Sequence, residues 1–371
     1  MIKRIILFSS VALLNVPVAG IAQGCCSGGS GSPIAGGGSQ GVLLDRQMEV
    51  SSTYQYNYTN KFFAGNKDTI PLFNHLVSDY LYTKIAYGVT KDLTVSLESG
   101  FFLKKQQIGK NLDTAQSVGF SDLIFFPKYV VYSNTQEKRR VEFVLGAGWK
   151  IPIGSYNDSM VTFRDTANGI VYYTAAPPSS QLTTGSHDFI FYSFFFRGFP
   201  KSNFRLFANS VYIKKGWNPL GEKFGDYASL GLFAGKTFFD KLGVTLQVKG
   251  EYIGKLKSAK NVDLLAFYNV DTASTGSRAI FITPQISYSI KALTIFALSD
   301  FPIYQYVNKE QIASQYQFAI GLAYRFFTTK SIIPKDGAAV FACEMDCPGG
   351  QSSKPGTCRM CGMQMNKKEK K

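Results

Sequence analysis

The chain has 371 residues, of which 45% are hydrophobic, and it contains 31 Phe and 21 Tyr but only 2 Trp. This composition is rich in residues that favour β-strands. The mean hydropathy is −0.03, and after about the first two dozen residues no run reaches the ~20 consecutive apolar residues of a spanning helix, which excludes a helical membrane protein. The net charge of +15 comes from basic residues that are scattered singly, so it does not indicate nucleic-acid binding.

The first segment has the composition of an export signal. Residues 1–22 combine a basic start, an apolar run over Ile5–Leu14 and small residues up to Ala22, which is typical of a secretory signal cleaved after Ala22. The alternative is that Cys25 becomes a lipid-modified first residue. Residues 23–43 are rich in Gly and Ser, which predicts a flexible linker.

From residue 46 onward the sequence alternates with a period of two. Between Met48 and Tyr58 the even positions are mainly apolar and the odd positions are polar, so a strand would separate one apolar face from one polar face. Similar segments recur near 46–58, 77–90, 92–106, 117–134, 138–153, 184–199, 202–215, 225–239, 241–255, 277–290, 291–304 and 314–327. The sequence therefore predicts an all-β fold of about twelve antiparallel strands.

The connections between these segments alternate between short and long. Long ones lie near 59–76, 107–116, 154–183, 216–224, 256–276 and 305–313. Short turns on one rim and long loops on the other are typical of a transmembrane β-barrel in the outer membrane. Strands of a soluble sandwich average ~5–6 residues, whereas these have the length of about ten that a tilted spanning strand needs. Residues 44–328 are thus predicted to form the barrel, with both termini in the periplasm.

Two features of the middle of the chain resemble known proteins. The last segment, Gln315–Phe326, alternates throughout and ends on an aromatic residue, which resembles the signal recognised by outer-membrane assembly machinery. The phrases AYGVTKDLTVSLESG, GFSDLIFFPKYV, GAGWKIPIGSYND, TTGSHDFIF and PIYQYVNKEQIASQYQFAIGLAYRF resemble a family of outer-membrane transporters named after the meta-pathway of phenol degradation. The resemblance covers most of residues 77–327. It implies a barrel that passes small hydrophobic or aromatic solutes.

If the apolar positions face lipid, the intervening positions face the lumen. The charged residues expected there are Glu49, Glu98, Lys104, Glu142, Lys150, Lys249, Glu251 and Arg325. This set is consistent with a selective pore, or with a water-filled interior whose charges only pair with one another. The loop 154–183 is the best candidate for a constriction or for an external contact surface.

Catalytic motifs are scarce in the sequence. The chain has 2 histidines, His75 and His187, and no G-x-S-x-G nucleophile motif. His187 precedes Asp188, and neighbouring residues on a strand point to opposite faces. We therefore expect a protein that is not an enzyme.

The C-terminal segment, residues 329–371, differs in composition and is predicted to be a separate module. Cys343 and Cys347 form one pair, and Cys358 and Cys361 form a second pair at C-x-x-C spacing. Four thiolates suffice for a closed tetrahedral metal site.

This tail resembles the small heavy-metal-binding domain found attached to copper- and heavy-metal-efflux ATPases and adaptor proteins. Phe341, Cys343, Met345 and Lys354–Met363 match its pattern, whereas Asp346 stands where that family has His and Cys347 is additional. The change makes the site softer and favours Cu(I) or Zn²⁺ as the bound ion. The predicted ligands are Cys343, Cys347, Cys358, Cys361, Met345 and Met363, and further candidates are Met360, Met365, Asp346, Cys25 and Cys26.

Two alternatives for the tail remain open, because four cysteines in the oxidising periplasm could form disulfides or a purely structural zinc knuckle. Three functions follow. The first is an outer-membrane barrel that handles copper or zinc together with periplasmic metal-efflux components. The second is a general pore for small hydrophobic or aromatic solutes with a structural tail. The third is a surface interaction barrel that acts through its long loops. Outer-membrane lipid is an expected partner, and nucleic acid is not.

Overall fold

The computed structural model describes residues 41–110, 114–136, 139–199, 202–239, 241–265, 271–290, 292–328, 341–342, 351–352 and 365–367. The predicted signal and most of the predicted linker lie outside these residues. Among the described residues, no helix has the length and hydropathy needed to cross a bilayer.

Within the described residues, twelve antiparallel strands form a closed barrel. They are β1 (Gln47–Thr59), β2 (His75–Gly88), β3 (Leu93–Ile108), β4 (Thr114–Gln136), β5 (Arg139–Pro152), β6 (Asp188–Phe199), β7 (Phe204–Lys214), β8 (Tyr227–Phe238), β9 (Leu242–Ile253), β10 (Ser277–Ile290), β11 (Leu293–Ile312) and β12 (Tyr316–Phe327). Each strand pairs with its neighbours in the chain, and β1 pairs with β12 to close the sheet. The predicted fold class is confirmed.

The alternation in sequence sets the two faces of the barrel wall. On β12, Ile320, Leu322 and Tyr324 are exposed on the outer face, whereas Ala319 and Ala323 are buried on the inner face. The other strands repeat this arrangement, with exposed side chains such as Val50, Leu97, Leu145, Phe191, Leu232, Leu246 and Ile286 on the outside. The outer face is therefore a continuous apolar band, which suits contact with lipid.

The two rims differ in their connections, as the sequence predicts. One rim carries the connections 89–92, 137–138, 200–203, 239–241 and 291–292, and we call it the short-turn rim. The other carries 60–74, 109–113, 153–187, 215–226, 254–276 and 313–315, and we call it the long-loop rim. The predicted loop 305–313 is largely strand, because β11 continues to Ile312 by pairing with the short strand Phe62–Gly65.

Several short strands and one 3₁₀ turn lie at the long-loop rim. Ser159–Asp165 and Ile170–Ala175 form a hairpin inside the longest connection. Smaller elements are Lys67–Asp68, which pairs with Phe62–Gly65, the pair Glu222–Lys223 and Lys257–Ser258, and a 3₁₀ turn at Thr272–Ser274.

The described residues of the tail form a small sheet of their own. Phe341–Ala342 is the central strand and pairs antiparallel with Gln351–Ser352 and with Asn366–Lys367. Three chain segments separated in sequence are thereby brought side by side.

Candidate functional site

A buried ionic cluster lies inside the barrel where β1 meets β12. Glu49 has no exposed surface, and its carboxylate accepts from Arg325 Nε at 2.7 Å. Lys84 Nζ lies 3.0 Å from the other carboxylate oxygen. Glu49 and Arg325 are directly opposite each other in the β1–β12 ladder, so this cluster fastens the seam at which the barrel closes.

The ionic residues continue along the inner face of the neighbouring strands. Ser96 Oγ donates to Glu98 at 2.7 Å, and the Tyr82 hydroxyl also donates to Glu98. On β5, Arg140 pairs with Glu142. The inner face of β1, β2, β3 and β12 in the short-turn half of the barrel is thus polar and charged, and Arg140 and Glu142 add an ion pair on β5.

The inner face from β4 to β8 carries an aromatic and apolar cluster. Tyr192, Phe194 and Phe196 on β6 point inward and are buried. They pack with Phe207 and Phe233, whose rings stack with centroids 4.3 Å apart. The remaining members of this cluster are Val130 and Val144. We call these seven residues the aromatic wall.

Sequence reasoning missed the aromatic wall because it assigned apolar residues to the lipid face. The signal was present in β6, which reads DFIFYSFFFRGF and has apolar residues at both odd and even positions. A strand that is apolar on both faces contacts apolar material on both sides, and here the inner face packs against its neighbours in the lumen.

The residues before β1 also lie inside the barrel. Leu43 is 1% exposed, and its backbone N–H donates to Thr94 Oγ1 at 2.7 Å. Val42 packs against the aromatic wall. A Cβ added at Gly88 would lie 1.9 Å from the Leu44 carbonyl oxygen, so glycine is needed for this close approach. Residues 41–43, expected to be flexible linker, therefore cross the lumen near the short-turn rim together with Leu44.

A second ionic cluster lies toward the long-loop rim. Lys150 Nζ is 2.9 Å from Asp122 and 2.7 Å from Asp188, and Lys215 Nζ is 3.0 Å from the same Asp188 oxygen. Burial and the nearby Lys150 charge lower the pKa of Lys215, which follows the end of β7. The cluster links β4, β5 and β6 with the residue that follows β7 and, through a hydrogen bond from Lys150 to Thr184, with the end of the longest loop.

Part of the longest loop folds inward onto this cluster. Ser121 Oγ donates to the Leu182 carbonyl at 3.2 Å, and Lys105 Nζ donates to the Gln181 carbonyl. The Gln181 amide donates to the Ala176 carbonyl at 2.9 Å, which holds the loop in a compact shape. Residues 180–183 are buried against β3 and β4, so this part of the loop narrows the mouth of the barrel.

The opposite side of the same half contains a cavity of about 310 Å³. It is lined by inner residues of six strands, and its charged members are Lys249, Glu251 and Asp300. Lys249 Nζ is 2.9 Å from Glu251 and 2.7 Å from Asp300. Lys249 and Glu251, which were expected in the lumen, therefore form an ionic group with Asp300, which the sequence did not single out.

The register places Lys104 on the outer face, contrary to the sequence expectation. Lys104 lies opposite Asp79, which in turn lies opposite Tyr56 on the outer face of β1. The pairing skips Leu103, because Tyr80 pairs with Phe102 and the next pair is Asp79 with Lys104. A bulge of this kind reverses which residues point inward.

The two histidines lie in separate aromatic contacts. The His75 ring is 5.4 Å from the Tyr58 ring, and the His187 ring is 5.7 Å from the Trp149 ring. His187 is exposed whereas Asp188 is fully buried. The two neighbouring side chains thus point to opposite faces.

Most predicted metal ligands lie outside the described residues. They are Cys25, Cys26, Cys343, Met345, Asp346, Cys347, Cys358, Met360, Cys361 and Met363. Met365 is described and is 9% exposed. Within the described residues, no group of three or more His, Cys, Asp or Glu could hold a metal ion.

Comparison with known proteins identifies the fold. No protein-family model matches the sequence, and no curated protein matches it. The structure is similar to the COG4313 outer membrane channel from Pseudomonas putida F1, with a TM-score of 0.57 and 10% sequence identity over 79% of this chain and 100% of that chain. The similarity to the translocator domain of the autotransporter NalP from Neisseria meningitidis is weaker, with a TM-score of 0.40 and 11% identity over 76% of this chain and 90% of that one. The fold is that of an outer-membrane β-barrel.

Proposed function

We propose that the protein is an outer-membrane pore for small solutes that carry an apolar part, with both termini in the periplasm. The observation that supports this function is that the lumen has an aromatic wall and, on β1, β2, β3 and β12, a polar and charged inner face that we call the ionic wall. The fold similarity to an outer membrane channel agrees with it. This role is not enzymatic.

The two walls suit a solute that is partly apolar. When the apolar part of a solute packs against the aromatic wall, the apolar surface of the solute is removed from water, which contributes about 25 cal/mol per Å² of that surface. The ionic wall keeps the remaining space hydrated, because paired charges in a lumen still hold water. A solute can therefore leave water on one side while its polar groups stay solvated on the other.

A conductance experiment tests this function. The purified protein is inserted in planar lipid bilayers, and interruptions of the KCl current by benzyl alcohol are recorded. Tyr192→Thr should shorten the interruptions, because Tyr192 belongs to the aromatic wall and keeps 8% of its surface exposed on the inner face. Phe191→Thr is the matched control, because Phe191 is 54% exposed on the outer face. A protein without conductance, or equal interruptions in both variants, would contradict the proposed function.

A second role concerns the tail, which we propose binds a soft metal ion, Cu(I) or Zn²⁺, on the periplasmic side. The described tail supports a folded module, because three separate segments pair in one sheet and Met365 is buried beside it. The chemistry of the donor set, thiolates with thioethers, fits a soft ion. Deleting residues 329–371 should abolish metal binding and leave the benzyl alcohol interruptions unchanged. If the deletion also abolishes the interruptions, the tail takes part in transport.

A further inference from the structure

The cavity beside Lys249 occupies the part of the lumen that the inward loop leaves open. The loop packs on β3 and β4, whereas the cavity is lined from β1, β2, β9, β10, β11 and β12. A solute that enters from the long-loop rim reaches this cavity before it reaches the aromatic wall.

The cavity is lined by more negative than positive groups. They are two carboxylates, Glu251 and Asp300, and one ammonium, Lys249. Lys249 is engaged by both carboxylates, so its charge is already compensated. The local balance is one negative charge in excess, and the field of that charge extends into the cavity.

The two carboxylates also differ in which of their oxygens have partners. Thr283 donates to the Asp300 oxygen that does not contact Lys249. Tyr227 donates to the Glu251 oxygen that also contacts Lys249, at 3.1 Å. The second oxygen of Glu251 is therefore the carboxylate atom best placed to accept a hydrogen bond from a solute in the cavity.

The rest of the lining supplies apolar contact. Phe281 is 6% exposed, and Lys249 Nζ lies 4.8 Å from the centre of its ring. Leu76, Pro302 and Ile312 complete this side of the cavity. A volume of about 310 Å³ is at the lower end of the range of small-molecule sites.

We propose that this cavity selects small amphiphilic solutes with an apolar body and a cationic or neutral hydrogen-bond-donating head, and disfavours carboxylates of the same shape. The apolar body lies against Phe281, and the head group donates to Glu251. A carboxylate head meets the excess negative charge and offers no donor. This inference rests on the proposed pore function and names its substrate class.

Three probes of one shape test the inference. Interruptions of the KCl current in planar bilayers are compared for benzylammonium, benzyl alcohol and benzoate at neutral pH. For the unmodified protein we expect the longest interruptions with benzylammonium and the shortest with benzoate. Glu251→Gln should lower the benzylammonium-to-benzoate ratio about tenfold, because one charge acting at ~6 Å through water changes the binding of each probe about threefold and in opposite directions. It should change the benzyl alcohol interruptions less than twofold.

Two further variants keep the result interpretable. Asp300→Asn removes the other carboxylate and should shift the ratio in the same direction, while Lys249 keeps its contact with Glu251. Asp68→Asn, an exposed position at the long-loop rim, should leave the ratio unchanged. Equal interruptions by the three probes, or a ratio that neither cavity variant alters, would overturn the inference and leave the pore function intact. A protein that none of the probes interrupts would overturn both.

Discussion

Replacing Glu49 by Gln should destabilise the barrel at its closing seam. The change keeps the shape of the side chain but removes the negative charge that Arg325 and Lys84 contact at 2.7 and 3.0 Å. Removal of one partner from a buried ionic group costs ~3–5 kcal/mol. Because Gln keeps a side chain of the same shape that can still accept a hydrogen bond, we expect the lower end, about 3 kcal/mol, or two orders of magnitude in the folding equilibrium.

The assay is urea unfolding of the barrel in lipid vesicles, followed by Trp fluorescence and by heat-modifiable migration on gels. Glu310→Gln is the matched control, because Glu310 is exposed on β11, and it should change the free energy of unfolding by less than ~0.5 kcal/mol. The double variant Glu49→Gln with Arg325→Gln should lose about 1–2 kcal/mol less than the sum of the single variants. If Glu49→Gln behaves like the control, or if the two changes are additive, Glu49 does not hold the seam.

Four further results are expected. A membrane-impermeant thiol label should modify Asn168→Cys on intact cells, because Asn168 is exposed at the tip of the loop hairpin, whereas Lys91→Cys at the short-turn rim should react only after permeabilisation. Leu43→Ser should raise the conductance, because Leu43 is 1% exposed inside the barrel and its burial contributes ~1.5–3 kcal/mol to keeping residues 41–44 there. Leu246→Arg should destabilise the barrel by ~2–4 kcal/mol, because a charge would face lipid near mid-depth. The reduced full-length protein should bind one Cu(I) or Zn²⁺ with release of protons, and Cys358→Ser should weaken that binding.

Each of these expectations has a contrary outcome. Labelling of both introduced cysteines on intact cells, above the background of the parent protein, would invalidate the orientation. Unchanged conductance in Leu43→Ser would show that residues 41–44 do not limit the current. Phe326→Arg, close to the rim, should lower the free energy of unfolding by only ~0–1 kcal/mol. An equal loss of stability in Leu246→Arg and Phe326→Arg would contradict the position assigned to the lipid-facing band. Retention of metal by Cys358→Ser would exclude that thiol as a ligand.

The alternation of polar and apolar residues predicted the barrel because the side-chain period of a strand follows directly from its backbone geometry. The same argument failed at Lys104, because a bulge that leaves out Leu103 cannot be recognised from parity alone. It also failed for β11, since the continuation of that strand to Ile312 depends on pairing with Phe62–Gly65, which is remote in sequence.

The inner contents of the barrel were harder to predict than its wall. Lys84 and Asp300 complete ionic groups around Glu49 and Lys249, but partners from different strands meet only once the sheet is closed. The packing of Leu182 against β4 likewise depends on how a long loop folds. The strand β6, which is apolar at most of its inner and outer positions, carried a local signal of an apolar inner face.

The pairing of β1 with β12 also bears on the order in which the barrel assembles. Glu49 and Arg325 are 276 residues apart in sequence, and contacts of such high sequence separation form slowly because a long loop must first close. Leu43 lies only a few positions ahead of this ladder and is buried inside the barrel, where it contacts Thr94 on β3. The leading segment must therefore be inside the curved sheet before the first and last strands zip together, or be threaded through a finished rim afterwards. The simpler route is an intermediate in which β1 and β12 are not yet paired and residues 41–44 already lie inside the sheet. Correct placement of these residues is then coupled to completion of the barrel.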